Sequence, residues 1–241
     1  MTIIPVVNRL TFCFFLFFVL FSGPEAVLAE SPEAVASRLQ NRYDKIHSMS
    51  FDFTQSTRGQ LSGRPKKGSG QAFFVKTPAD NKNSEEIQAG KMRWNYATPE
   101  RQVLVSDGTN FSMYFSSLEQ MIITPAEALQ QDLTYSFFTG SGNLLEDFTI
   151  LPPDQSSAVA QDKTEVIKLV PKAKQSQVAL IHLWVTKDSL IRRIEILDQF
   201  DTLTVLNFSN LKVDTIDADD KVLMEKLFQF TPPDGTEIIH Q

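Results

Sequence analysis

Residues 91–123, KMRWNYATPERQVLVSDGTNFSMYFSSLEQMII, constrain the fold more than any other stretch of the chain. They read as three strand-like segments separated by two breaks. Met92, Trp94 and Tyr96 fall on one side of a pleated strand and Arg93 and Asn95 on the other, because side chains in a strand alternate with a period of two. Ala97-Thr98-Pro99-Glu100 ends that strand, since proline has no N–H to give a ladder, and Ser106-Asp107-Gly108 has the composition of a hairpin turn. A meander with one greasy face needs something to cover it.

The first 29 residues read as an address rather than as part of the fold. Arg9 gives a thin positive start, residues 10–21 (LTFCFFLFFVLF) form an apolar core, and Val27 and Ala29 stand at the −3 and −1 positions of a cleavage site. A retained membrane anchor would need ~20 apolar residues, and Gly23-Pro24 interrupts the run before that. The prediction is a secretory signal peptide over 1–29 and one domain over 30–241. The sole cysteine, Cys13, lies inside the signal, so the mature chain is left without disulfides or thiolate chemistry. Together these place the protein in the periplasm. A net charge of −6 argues against a nucleic-acid partner, which needs a basic surface.

Along the mature chain, Ser31 is a helix N-cap with Pro32 at the first helical position, and Val35, Leu39, Tyr43 and Ile46 follow at helical spacing. Residues 50–55 read as a strand with Phe51 and Phe53 on one face, 59–70 as a basic glycine-rich loop, and 71–76 as a second strand. Residues 77–90 are polar, carry Pro78 and read as a loop or small insertion. Thr124-Pro125-Ala126-Glu127 is a second helix start, and the segment to 148 reads as two short helical pieces parted by Gly140-Ser141-Gly142. Pro152-Pro153 divides the two halves of the chain. Strands then return at 166–171, 178–186, 190–198, 202–211 and 227–230, with Lys187-Asp188-Ser189 as a tight turn. About nine or more strands with one helical interruption predict a mainly β (α+β) fold, a wide antiparallel sheet that curls.

The residues that enzymes need in combination are scattered. The chain has no G-x-S-x-G elbow, His47, His182 and His240 are isolated in sequence, and the glycines of 68–70 and 140–142 lack the full phosphate-cradle spacing. Asp214, Asp217, Asp219 and Asp220 cluster, yet they miss the calcium-loop pattern and read as a solvated acidic loop. No catalytic residue, metal site or cofactor is assigned. A hydrolase using Asp107 or the acidic loop is the enzyme alternative.

GSGQAFF at 68–74, the 91–123 run, SFFTGSGNLLEDFTI at 136–150 and FQFTPPDGTEII near the end occur in order. This series resembles the periplasmic outer-membrane lipoprotein carrier protein LolA family over nearly all of residues 33–239. Its most specific parts are the R-W-x-Y-x-x-P strand with the V-S-D-G turn, and the closing F-x-F-x-P-P-x-G. The resemblance implies an incomplete antiparallel β-barrel wrapped around a helical lid, acting as a monomer. It also implies a periplasmic chaperone that takes acylated lipoproteins from an inner-membrane ABC transporter to an outer-membrane receptor, holding the acyl chains in an apolar cavity. The lining it implies is the sheet face assigned to Phe51, Phe53, Phe73, Val75, Met92, Trp94 and Tyr96. Family members place an Arg-Pro after the second strand, whose arginine holds the lid shut; here the place reads Lys76-Thr77-Pro78. The latch is then either missing or taken over by Lys76 or Arg93. A related protein that senses or binds lipid without ferrying cargo is the alternative reading.

Overall fold

The first helix begins where its capping residues put it. The Ser31 hydroxyl accepts a hydrogen bond from the Ala34 amide at 3.2 Å, and Pro32 sits in the first turn, where its missing N–H costs nothing. Helix α1 (Pro32–Asp44) buries Val35, Ala36, Leu39 and Tyr43 along one stripe. The computed structural model describes residues 30–59, 63–76, 90–131, 135, 137, 138, 142–154, 163–173 and 178–241. Residues 1–29, read from sequence as a signal peptide, residues 77–89, read as a loop or small insertion, and Gly140-Ser141 lie outside the described residues.

The strands are β1 (Ser48–Arg58), β2 (Lys66–Val75), β3 (Lys91–Thr98), β4 (Gln102–Ser106), β5 (Asn110–Phe115) and β6 (Gln120–Pro125) in the first half. A 3-10 helix (Ala126–Gln131) and helix α2 (Leu144–Asp147) lead to β7 (Phe148–Leu151), β8 (Glu165–Pro171), β9 (Leu180–Val185), β10 (Ile191–Leu197) and β11 (Leu203–Val213). Helix α3 (Lys221–Phe228) and strand β12 (Glu237–His240) finish the chain. All twelve strands form one sheet in the order β12-β6-β5-β4-β3-β2-β1-β11-β10-β9-β8-β7. Every neighbouring pair is antiparallel except β12 on β6. The ends β7 and β12 do not pair, so the sheet is an open, incomplete barrel, as wide sheets must curl to bury one face.

Four local predictions are corrected. Residues 91–123 hold strands β3 to β5 and most of a fourth, β6, which continues to Pro125 before the 3-10 helix begins. The stretch 59–70 is strand from Lys66 onward, and Gly68 and Gly70 serve close approach rather than looping. A Cβ on Gly70 would stand 1.8 Å from the Asn95 carbonyl oxygen, so only glycine lets β2 pass β3 there. The segment 227–230 is the end of α3 and the residues after it, because Asp220 caps that helix by accepting from the Leu223 amide at 3.0 Å. Finally, Phe148, where the sequence reading ends its helical segment, opens β7 directly after α2, a strand that the sequence reading does not assign.

The sheet separates two apolar clusters. The larger lies on the inner face, against α1 and the helical residues Tyr135, Phe137 and Phe138. The smaller lies on the outer face, where Phe228 of α3 packs on Val75, Val103, Val105, Tyr114 and Met121.

Candidate functional site

The inner face has an aromatic half and an aliphatic half. On β1 to β3, Phe51, Phe53, Phe74, Met92 and Trp94 are buried and Tyr96 packs against them. Most of their rings pack edge to face or tilted: Phe53 to Trp94 at 4.6 Å, Phe53 to Tyr96 at 4.8 Å and Phe51 to Phe208 of β11 at 4.6 Å. The Tyr96 hydroxyl donates to the Gln55 amide oxygen at 2.7 Å, and burial pushes its pKa up to about 12.

Phe73 and Val75 do not belong to this face. Register sets Phe73 opposite Arg93 and Val75 opposite Lys91, while Ala72 and Phe74 sit opposite Trp94 and Met92. Phe73 and Val75 therefore join the outer cluster. A Phe-Phe doublet does not declare its own phase, and a slip of one residue exchanges the faces.

Two lid aromatics bridge α1 and the sheet. Phe137 lies 4.5 Å from the Tyr43 ring. Phe138 lies 4.9 Å from Phe74, 5.5 Å from Phe51 and 5.8 Å from Tyr43. The Tyr43 hydroxyl accepts from the Ile191 amide at 3.3 Å, and full burial raises its pKa far above the phenol range. The inner face is thus filled by the protein's own rings.

Helix α1 is fastened across that filling. The Lys76 ammonium donates to the Tyr43 carbonyl at the helix C-terminus, where the dipole favours a cation. Burial lowers the Lys76 pKa, against the opposing pull of Asp44 and Asp214. Arg38 spreads its guanidinium over the Thr186 carbonyl at 2.9 Å, the Ser189 hydroxyl at 3.0 Å, Glu30 at 2.9 Å and Glu165. The Gln40 side-chain oxygen accepts from the Leu144 amide at 2.9 Å, tying α2 to α1. Arg93, the other latch candidate, faces outward. It donates to the Leu227 carbonyl at 2.9 Å and Gln229 carbonyl at 3.3 Å and lies 5.7 Å from the Phe230 ring, so it clamps the end of α3. Nothing in the sequence singles out Arg38, one cation on the polar side of an amphipathic helix.

Among the described residues, space opens in the aliphatic half. A cavity of about 40 Å³ opens between Phe137, Phe138, Leu144, Leu183, Ile194 and Ile196. At about 10–15 Å³ of such space for each water-sized group, this is room for about three of them, short of an acyl chain. The run of Ile181, Leu183 and Val185 at alternate positions of β9, all buried, is the sequence signal that points to this wall.

The carboxylates considered for chemistry are occupied by the backbone. Asp107 accepts from the Thr109 and Asn110 amides, each at 2.8 Å, which makes its segment the predicted turn. Asp214 accepts from His47 at 2.7 Å and Ser48 at 3.1 Å, and Asp217 from Asp219 at 3.0 Å. His182 is buried on the outer face with Nε2 3.3 Å from the Asp154 carboxylate, and desolvation lowers its pKa.

The family model for outer membrane lipoprotein carrier protein LolA matches residues 44–231. An outer-membrane lipoprotein carrier protein of Methylococcus capsulatus is 32% identical over 203 residues, 84% of this chain and 86% of that one. The carrier of Nitrosospira multiformis is 24% identical and covers 95% of this chain and 97% of its own length. Among solved structures, a LolA superfamily protein of Nitrosomonas europaea aligns at a TM-score of 0.39 with 13% identity, covering 84% of this chain and 99% of that one. With the family matched over most of its length, and a carrier nearly one-third identical along almost all of it, the chain belongs to the LolA family of outer-membrane lipoprotein carrier proteins.

Proposed function

We propose that the mature chain is a monomeric, non-catalytic periplasmic chaperone. It accepts acylated lipoproteins from an inner-membrane ABC transporter and delivers them to an outer-membrane receptor. The observation that carries this reading is the apolar inner face closed by a helix held on by polar bonds. Arg38, Lys76 and Gln40 fasten α1 and α2 through side-chain hydrogen bonds at the rim, while Phe137 and Phe138 fill the face beneath. Such a lid can open without dismantling the sheet.

Binding would exchange one apolar filling for another. Burial of an acyl chain gains ~0.8 kcal/mol per methylene, so exposing a long chain to water costs on the order of 10 kcal/mol. Phe137 and Phe138 leave the face, the small cavity by Ile194 and Ile196 widens, and acyl chains take the vacated contacts. Because the lid rings compete for the same surface, the net affinity stays low enough for release. Phe51, Phe53, Met92, Trp94 and Tyr96 form the floor in this reading, Lys76 is the latch, and Arg93 is left to α3.

Extraction of lipoprotein tests it. Mature protein, incubated with vesicles that hold an acylated lipoprotein and an active transporter with ATP, should carry the lipoprotein into the supernatant. Lipoprotein that stays entirely in the pellet overturns the reading.

A further inference from the structure

The adjoining ends of β1 and β2 lie beside the β10–β11 turn at one end of the sheet, residues 60–62 falling outside the described residues. Register places Arg58 opposite Leu203, Lys66 opposite Thr57 and Leu197 opposite Leu203. Residues 58–67 contain Arg58, Arg64, Lys66 and Lys67 and no acidic residue, in a chain of net charge −6. All four cations are exposed, and none is ion-paired among the described residues.

The neighbouring turn holds out a phenylalanine. Phe200 is 79% exposed, in a protein that buries most of its described phenylalanines. The turn is built to keep it there. The Asp198 carboxylate accepts from the Phe200 and Thr202 amides, each at 2.8 Å, Asp201 adopts a φ of 58°, and the Gln199 amide donates to the Val178 carbonyl at 3.1 Å. Asp198 and Asp201 put two negative charges in this turn, and the amide bonds hold Asp198 ionised, so the four cations of the neighbouring strand ends outnumber them by two.

We propose that this end of the sheet docks on an anionic lipid bilayer. Phe200 enters the boundary between headgroups and acyl chains, and Arg58, Arg64, Lys66 and Lys67 meet the lipid phosphates. An acidic protein would satisfy the cations and leave the fixed, protruding ring without a purpose. Docking needs no cargo, though its use rests on the carrier reading: Ile196 of the cavity wall is four residues from Phe200, so the docked end brings that wall toward the bilayer.

Flotation of the mature chain with vesicles, cargo absent, tests this. The chain should float with phosphatidylcholine vesicles containing phosphatidylglycerol and stay behind with phosphatidylcholine alone. Raising salt to physiological strength should weaken the association, since the Debye length shortens to about 8 Å. The Lys66→Gln, Lys67→Gln double variant should bind roughly 25-fold more weakly, about fivefold for each cation lost near such a surface. Phe200→Ser should lower binding several-fold, and Phe200→Trp should restore it with blue-shifted emission on binding. Equal binding to neutral vesicles, indifference to both variants, or retention only on membranes that carry protein overturns the proposal. Failed lipoprotein extraction with vesicle binding intact overturns the carrier reading and leaves this one standing.

Discussion

The two halves of the inner face use different side chains for different ends. The β1–β3 half is aromatic and solid: the rings of Phe51, Phe74 and Trp94 lie within 6 Å of one another, and Phe53 lies 4.6 Å from Trp94. The β8–β10 half is aliphatic, with Leu169, Leu183, Ile191 and Ile194 buried, and keeps the small cavity. Flat rings interlock in preferred geometries and resist displacement, whereas branched aliphatic chains present a smoother wall that another hydrocarbon can slide along. The aromatic half makes the fold; in the proposed carrier, the aliphatic half is where capacity grows.

Four experiments bear on that difference. Trp94→Ala should cost about 3–5 kcal/mol of stability, as expected for a buried aromatic truncated in a packed region. Chemical denaturation measures this, and a cost under ~1 kcal/mol would mean that the aromatic half is not the rigid one. Arg38→Ala should cost about 1.5–3 kcal/mol through its lost charged hydrogen bonds. The loss should fall on α1 alone, seen as faster amide exchange there than in β1–β3. Ile196→Phe should change stability by under about 1.5 kcal/mol, since it fills existing space. It should nevertheless reduce lipoprotein extraction several-fold; unchanged extraction would move the capacity elsewhere.

The smallest effect is a pH dependence. Desolvation holds the folded pKa of His182 below the ordinary 6.5, against the pull of Asp154 and Glu195 and with Lys168 repelling its charge. Between the folded and unfolded values the unfolded chain binds more protons, so stability falls as pH drops below about 6.5. His182→Gln should flatten the melting temperature over that window. An unaltered slope would assign it to other groups.

Much of the inner face is legible in the amino-acid sequence. Period-two alternation places Phe51, Phe53, Met92, Trp94 and Tyr96 on a common face, and Ser31-Pro32 fixes the start of α1. The phase of Phe73-Phe74 is not legible, because it is decided by pairing with β3 and not by any local pattern. Helix α3 escapes a sequence reading because the aspartates before it look like a solvated loop, although Asp220 is its cap. The long-range bonds of Lys76, Arg38 and Arg93 join residues far apart in sequence, and only the fold brings them together.

The place of β1 sets the order in which the molecule can be assembled. The earliest strand lies in the interior of the sheet between β2 and β11, and Met49 pairs with Val213. The β2–β6 and β8–β11 meanders are built from neighbours in sequence and can form early, since closing short loops is fast. Joining them waits for a partner some 160 residues downstream of β1, a contact of high sequence separation that slows folding. Until residues 203–213 arrive, β1 presents Phe51 and Phe53 on a strand with one open edge, the condition in which a nascent chain is most exposed to aggregation and most in need of a holdase.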